Sequence, residues 1–299
     1  MNTEPYPDAR AVEMAIKTAA QATFVVDSSV SVSERIRQAY FDRLLCRVFS
    51  EGPSSQWVLK GGTGMRARVP NARATMDIDL FVNGYTLDQA LVRLRALASL
   101  DLSVYLRFEY LKHTESLAGD QQPYANGFRV TFQVFLGTKR LNDVSVDLVA
   151  GAGDLSRVET ADPANRVSLP RLITHPYRLY PVERQVADKV CATLATYSSG
   201  ASSRERDLVV IANTQSIPAN DLREAIRSEA QLRDLGHVTS FTIPSSWGRA
   251  YERTARTIPA CSRHQAIDDA RALMTDFISR ILESDDLQGL WNPESLAWK

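Results

Sequence analysis

No apolar run in this sequence approaches the roughly 18–20 residues that a bilayer-spanning helix needs. The opening MNTEPYPDAR has acids and prolines where a secretory leader has a basic start and an apolar stretch, so the expectation is a cytoplasmic protein. Cysteine is scarce. Cys46, Cys191 and Cys261 make an odd number without metal-ligand spacing, which reads as reduced thiols rather than a disulfide framework. His113, His175, His237 and His264 are widely scattered and argue against a histidine-rich metal site. Net charge is lacking too: 35 Lys and Arg balance 35 Asp and Glu, so affinity for nucleic acid has to come from a local patch. There is no Gly-x-Ser-x-Gly elbow, no complete phosphate-binding loop ending in Gly-Lys-Ser/Thr, and no His-Glu-x-x-His. Serine-hydrolase, P-loop and zinc-protease chemistries therefore have no basis here. Internal repeats and low-complexity tails are missing as well.

What is present is 299 residues of ordinary globular composition, 44% hydrophobic and 23% charged, enough for two lobes. The first 50 residues read as helices. Ser31 and Glu34 have capping-box spacing, and Ile36, Tyr40, Phe41, Leu44, Leu45 and Val48 form an apolar face. Trp57-Val58-Leu59 then reads as a strand entering a tight turn at Gly61-Gly62. Residues 63–69 can start a short helix, and Met76 to Val82 reads as a second strand. Thr86 precedes a helix running to Leu100, followed by strands over 104–111, 128–136 and 143–149, the last two a plausible hairpin around Gly137-Thr138. A polar stretch from about 150 to 178 reads as a connection, and nearly everything after Pro181 as helix: 181–198, 204–214, 218–233, 244–257 and 262–284.

The chemistry concentrates between residues 60 and 79. Alternate side chains of a strand share a face, so Met76, Ile78 and Leu80 are expected on one side and Asp77 and Asp79 together on the other. Aspartate is depleted in strands, and two neighbouring carboxylates repel unless a cation lies between them. Mg²⁺ suits sites of one or two carboxylates completed by phosphates, and a charged edge strand is the alternative. Val144, Val146 and Leu148 form a second alternating face that puts Asp147 opposite. If that strand pairs near the first, Asp147 becomes a third acid, and three carboxylates can hold two ions for phosphoryl transfer. Gly61, Gly62 and Thr63 open a short helix whose amides could approach phosphate oxygens. Lys60, Arg66, Arg68 and Arg73, with no acid among them, could meet triphosphate or an RNA backbone. Lys189 and Asp207, taken alone, are ordinary surface charges.

Together these residues resemble a known family. Leu59-Lys60-Gly61-Gly62-Thr63 followed by Arg73-Ala74-Thr75-Met76-Asp77-Ile78-Asp79-Leu80 is similar to the first motif of the AbiEii/MenT nucleotidyltransferase toxins. Val146-Asp147-Leu148 resembles the family's later strand carboxylate, and Tyr180-Pro181-Val182-Glu183 with Ala187-Asp188-Lys189 its lysine helix. Arg204-Glu205-Arg206-Asp207-Leu208 is similar to the Arg-x-x-Asp motif that follows. The departure is Gly-Gly where the family has Gly-Ser, which leaves phosphate contact to backbone amides and Thr63.

The resemblance implies an α+β, bilobed fold: a polymerase-β-like nucleotidyltransferase lobe with a small mixed sheet (1–155) and a helical C-terminal lobe (156–299). It implies transfer of a nucleotide from an NTP, with Mg²⁺ or Mn²⁺, to the 3′ acceptor end of tRNA, which blocks aminoacylation and translation. A cognate antitoxin protein is implied as partner, and a monomer is the favoured state. Asp77, Asp79 and Asp147 would hold metal. Lys189 would contact triphosphate beside Lys60, Gly61, Gly62, Thr63 and Arg73, and Asp207 would orient substrate or Lys189. A phosphate on Thr75 would set negative charge beside the acids and oppose NTP binding. Modification of a small molecule or protein by the same lobe, or a degenerate nucleotide-binding protein, are the competing readings.

Overall fold

The computed structural model describes residues 4–69, 72, 75–115, 127–151, 156–195, 204–243 and 247–299. Two compact units divide the chain between Tyr180 and Pro181.

The first unit opens with helices α1 (Ala9–Val26) and α2 (Val32–Val48). Ser31 caps α2 by accepting from the Glu34 amide at 3.2 Å. Then follow β1 (Trp57–Lys60), α3 (Gly61–Arg68), β2 (Ile78–Asn83) and α4 (Leu87–Ala98). Thr86 and Gln89 close a reciprocal capping box that starts α4. The remaining strands are β3 (Leu106–Glu115), β4 (Gly127–Leu136), β5 (Lys139–Arg140), β6 (Val144–Gly151), β7 (Glu159–Ala161) and β8 (Tyr177–Leu179). They form one mixed sheet in the order β3-β4-β6-β2-β1-β8-β7, with β5 attached to β4. β2 runs parallel to β6 and β1 parallel to β8, while the other pairs are antiparallel.

One face of the sheet is core. Ile78, Leu80 and Val82 of β2 and Val146 and Leu148 of β6 are fully buried, in one cluster with Leu44 and Val48 of α2 and Leu94 of α4. Each such side chain contributes about 1.5–3 kcal/mol. A one-residue slip of β2 would turn its aspartate into that core, so apolar burial pins the register that aims the acid outward.

Three expectations change here. Met76 does not join Ile78 and Leu80: it is 71% exposed, with Arg37 Nη1 at 2.7 Å from its sulfur. β2 starts only at Ile78, so Asp77 stands in the bend before the strand. The boundary near 155 also moves. β8 pairs with β1, and the Tyr180 amide donates to the Leu59 carbonyl at 2.9 Å, which ties the described residues 156–180 into the sheet rather than leaving them a connection.

The second unit is mainly helical: α5 (Val182–Leu194), α6 (Arg204–Thr214), α7 (Ala219–Leu232), α8 (Gly248–Ala255), α9 (Ile267–Met274) and α10 (Arg280–Glu283). A π-helical turn, Thr275–Ser279, joins the last two. Its interior holds Val186, Val190, Ile211, Leu222, Ile226 and Phe277, all fully buried. The helical periodicity missed a final two-stranded ribbon, β9 (Trp291–Asn292) and β10 (Ala297–Trp298). Trp291 anchors it, its indole N–H donating to the Ala212 carbonyl at 2.7 Å. Among the described residues no helix is long and apolar enough to cross a membrane.

Candidate active site

The register sets four charged residues in one row across the sheet. Lys60 on β1 pairs with Asp79 on β2, Asp79 pairs with Asp147 on β6, and Asp147 pairs with Arg129 on β4. Directly paired residues present their side chains on the same face, so the row reads cation, acid, acid, cation. Asp77 stands one step before β2 beside the two acids.

Gly61 makes the turn out of β1. Its φ of +59° is a left-handed conformation, and a Cβ built there would lie 2.1 Å from Asp79 Oδ2. The next amide, Gly62 N–H, donates to that same oxygen at 3.2 Å. The Gly-Gly pair thus lets the backbone close onto the Asp79 carboxylate, and α3 starts from that point. The Thr63 hydroxyl donates to the Asp77 carbonyl at 2.7 Å, and Thr75 reaches the same carbonyl at 3.2 Å. Both threonines are buried, so they hold the Asp77 backbone rather than present free hydroxyls to a phosphate. A phosphoryl group on Thr75 would have to displace its bond to that carbonyl.

The basic set separates. Lys60 Nζ lies over the Tyr180 ring, 5.3 Å from its centroid. Arg66 is buried with Nη1 on the Ala72 carbonyl at 2.9 Å, and Arg68 binds the Tyr180 carbonyl at 2.8 Å and pairs with Glu159. These two arginines tie the loop and the sheet together and do not form a phosphate-facing patch. Arg73 lies outside the described residues.

Arg129 was not singled out from the sequence. Its Nε and Nη2 donate to the two oxygens of Asp147, both at 2.7 Å, and Nη2 also reaches Asp77 Oδ2 at 3.2 Å. The hydrogen bonds to Asp147, with the charges of Asp147, Asp77 and Asp79 behind them, hold its pKa above the ordinary arginine value against the effect of burial. The available signal was an arginine on the outward, polar side of the β4 alternation, and its meaning depends on the β4–β6 register.

In the second unit, Lys189 on α5 and Asp207 on α6 form an ion pair, Nζ to Oδ2 2.9 Å. Asp207 is 3% exposed, so the pair is built into the helix packing rather than a solvated surface contact. The neighbouring Asp188 pairs with Arg233 at 3.6 Å.

Carboxylate oxygens are the right donors for a hard divalent cation. Among the described residues no three His, Cys, Asp or Glu side chains form a group that could hold an ion by themselves. Asp147 is engaged by Arg129, whereas Asp79 adjoins the glycine turn and Asp77 is partly exposed. The donor set therefore fits a two-carboxylate site completed by oxygens from outside the protein, not a preformed three-acid cage.

A family model described as "Nucleotidyl transferase AbiEii toxin, Type IV TA system" matches residues 43–298. No curated protein matches the chain. Among solved structures, MenT4, a nucleotidyltransferase toxin from Mycobacterium tuberculosis H37Rv, aligns with TM-score 0.49 and 14% identity, covering 89% of this chain and 97% of its own. JHP933 from Helicobacter pylori aligns with TM-score 0.45 and 13% identity over 82% of this chain and 94% of its own.

Proposed function

The chain belongs to the AbiEii nucleotidyltransferase toxin family, and from that premise we propose that it transfers a nucleotide from an NTP to the 3′ acceptor end of tRNA. Aminoacylation is then blocked and translation stops. The observation that carries the reading is the closure of the Gly61-Gly62 turn onto Asp79, with Asp77 beside it. A turn without side chains next to two outward carboxylates is an arrangement suited to a cation-bound triphosphate.

Asp77 and Asp79 are the proposed ligands of Mg²⁺ or Mn²⁺. When bound, the ion supplies charge neutralisation and orientation of the triphosphate oxygens. The chain's own groups do the rest. The remaining backbone amides at the start of α3, beside the Gly62 N–H already on Asp79, are the proposed donors to phosphate oxygens, and Lys60 adds positive charge at the end of the row. Thr63 and Thr75 keep the Asp77 backbone in place. Lys189, oriented by Asp207, is the proposed triphosphate contact on α5. Arg73 is retained as a further nucleotide contact on sequence grounds alone. An acidic side chain can accept the proton of the attacking hydroxyl as the new phosphodiester bond forms and pyrophosphate leaves.

Toxin membership implies an antitoxin partner. The test is incubation of the full chain with α-labelled NTPs, Mg²⁺ and total RNA. Label is expected on tRNA and is expected to vanish with Asp79→Ala. Label on protein, or on no acceptor, contradicts the tRNA reading. Growth arrest on expressing the chain, relieved by the product of a neighbouring gene, is the matching cellular result.

A further inference from the structure

We infer that Asp147 is not a metal ligand but a positioning residue, and that the group it positions, Arg129, binds a phosphate of the nucleotide. The inference rests on the nucleotidyltransferase reading and changes the role of one of its three acids.

The geometry favours this division of labour. Arg129 grips Asp147 side-on, Nε to one oxygen and Nη2 to the other, both at 2.7 Å. Two parallel charge-assisted bonds of this kind use the best acceptor directions of both carboxylate oxygens. A cation on Asp147 would be left with the outer lone pairs and would stand beside the guanidinium's positive charge. Asp77 is held far less tightly, by the single 3.2 Å contact from Nη2. Asp77 can therefore exchange that contact for a metal while the fork on Asp147 stays in place.

The guanidinium has capacity left. Nη1 makes no hydrogen bond among the described residues, and the side chain is 49% exposed on the same face as the Gly61-Gly62 turn and Asp79. Arg129 on β4 pairs with Asp147 on β6, and Asp147 with Asp79 on β2, so the guanidinium is anchored two strands from the acid that adjoins the glycine turn and on the same face. An anion held by a cation at Asp77 and Asp79 lies within the field of a guanidinium whose orientation Asp147 has already fixed. Preorganisation of this kind removes the rotamer cost of ordering an arginine when the anion arrives.

Two binding measurements on the full chain, neither of which needs turnover, test the proposal. Mn²⁺ binding is followed by electron paramagnetic resonance, and inorganic tripolyphosphate binding in the presence of Mg²⁺ by calorimetry. Arg129→Ala and Asp147→Asn are each expected to weaken tripolyphosphate binding about tenfold, the loss of one charge-assisted contact. Arg129→Lys should not restore it, because an ammonium cannot hold the fork on Asp147 and reach a third acceptor. In all three variants Mn²⁺ affinity should hold or rise, since a competing cation is removed or loosened. Asp147→Asn lowering Mn²⁺ affinity as much as Asp77→Asn does would overturn the proposal, as would unchanged tripolyphosphate affinity in Arg129→Ala. If Asp77→Asn itself leaves Mn²⁺ binding intact, the metal assignment to Asp77 and Asp79 fails instead, and the two failures stay distinct.

Discussion

At the scale of single residues, Gly61 is the position where backbone and chemistry meet. Gly61→Ala places a methyl group at φ +59° and onto the Asp79 carboxylate. The left-handed conformation alone costs about 1–3 kcal/mol for a residue with a side chain. Transfer activity should fall well over tenfold while the protein still melts cooperatively, which parallel rate and thermal-unfolding measurements check. The three cysteines give a prediction of the opposite kind. Burial pushes Cys46 up to about 11 and Cys191 and Cys261 to about 12. At pH 8 about a thousandth or less of each is thiolate, the reactive form. Native protein should therefore resist a thiol-reactive dye that labels all three rapidly in denaturant. Of the residues at the site, the Asp77/Asp79 pair was legible because two acids in an apolar alternation conflict with strand preference. Arg129 was not, because one arginine among alternating residues has no meaning until its cross-strand partner is known.

At the scale of elements, α2 shows both the reach and the limit of periodicity. Its apolar stripe was readable, yet Arg35, Asp42, Arg43 and Arg47 on the same helix are also buried. Arg35 is held locally by Asp27 and the Val30 carbonyl, but Asp42 and Arg47 also find partners distant in sequence. Arg166 Nε reaches Asp42 at 2.9 Å, the Tyr177 hydroxyl and Arg43 also bind Asp42, and Arg47 donates to the Leu100 and Leu106 carbonyls. Periodicity reports which face is apolar and cannot report a buried ion cluster assembled from three parts of the chain. Burial opposes ionisation of Asp42, but Arg43, Arg166 and the Tyr177 hydrogen bond outweigh it and hold its pKa below the ordinary 3.8. A carboxylate lowered in the folded state stabilises fully above its unfolded value, and that contribution is lost as pH falls through the lowered one. Asp42→Asn should destabilise by about 3–5 kcal/mol at neutral pH, as breaking one partner of a buried pair does. The gap to wild type should narrow below pH 4 in acid-unfolding curves. Thr86→Ala supplies a contrast. It removes the α4 capping box at an expected cost of about 0.5–2 kcal/mol and should leave nucleotide transfer unchanged. The strands β7 and β8 escaped the sequence reading because three-residue strands carry too little alternation to separate from a polar loop.

At the scale of the whole molecule, the order of elements carried the reading. Strand, glycine turn, short helix and acid-bearing strand, followed by a helical unit, is an order that no single motif specifies, and the family model spans residues 43–298 accordingly. The division at Tyr180 could not be placed from composition, since the mostly polar stretch before it joins the first unit through a short strand pairing and a few scattered apolar residues, Val167, Leu169, Leu172, Tyr177 and Leu179, that show no sustained period. The central claim is that this chain moves a nucleotide, not a phosphoryl group, through Asp77 and Asp79. Parallel reactions with the same NTP labelled at the α or the γ phosphate, with Mg²⁺ and RNA, test it directly. Nucleotidyl transfer predicts acceptor label from the α-labelled NTP only, γ label released as pyrophosphate, and neither signal in Asp77→Asn or Asp79→Asn. Acceptor label from the γ position, or α label undiminished in either variant, would contradict it.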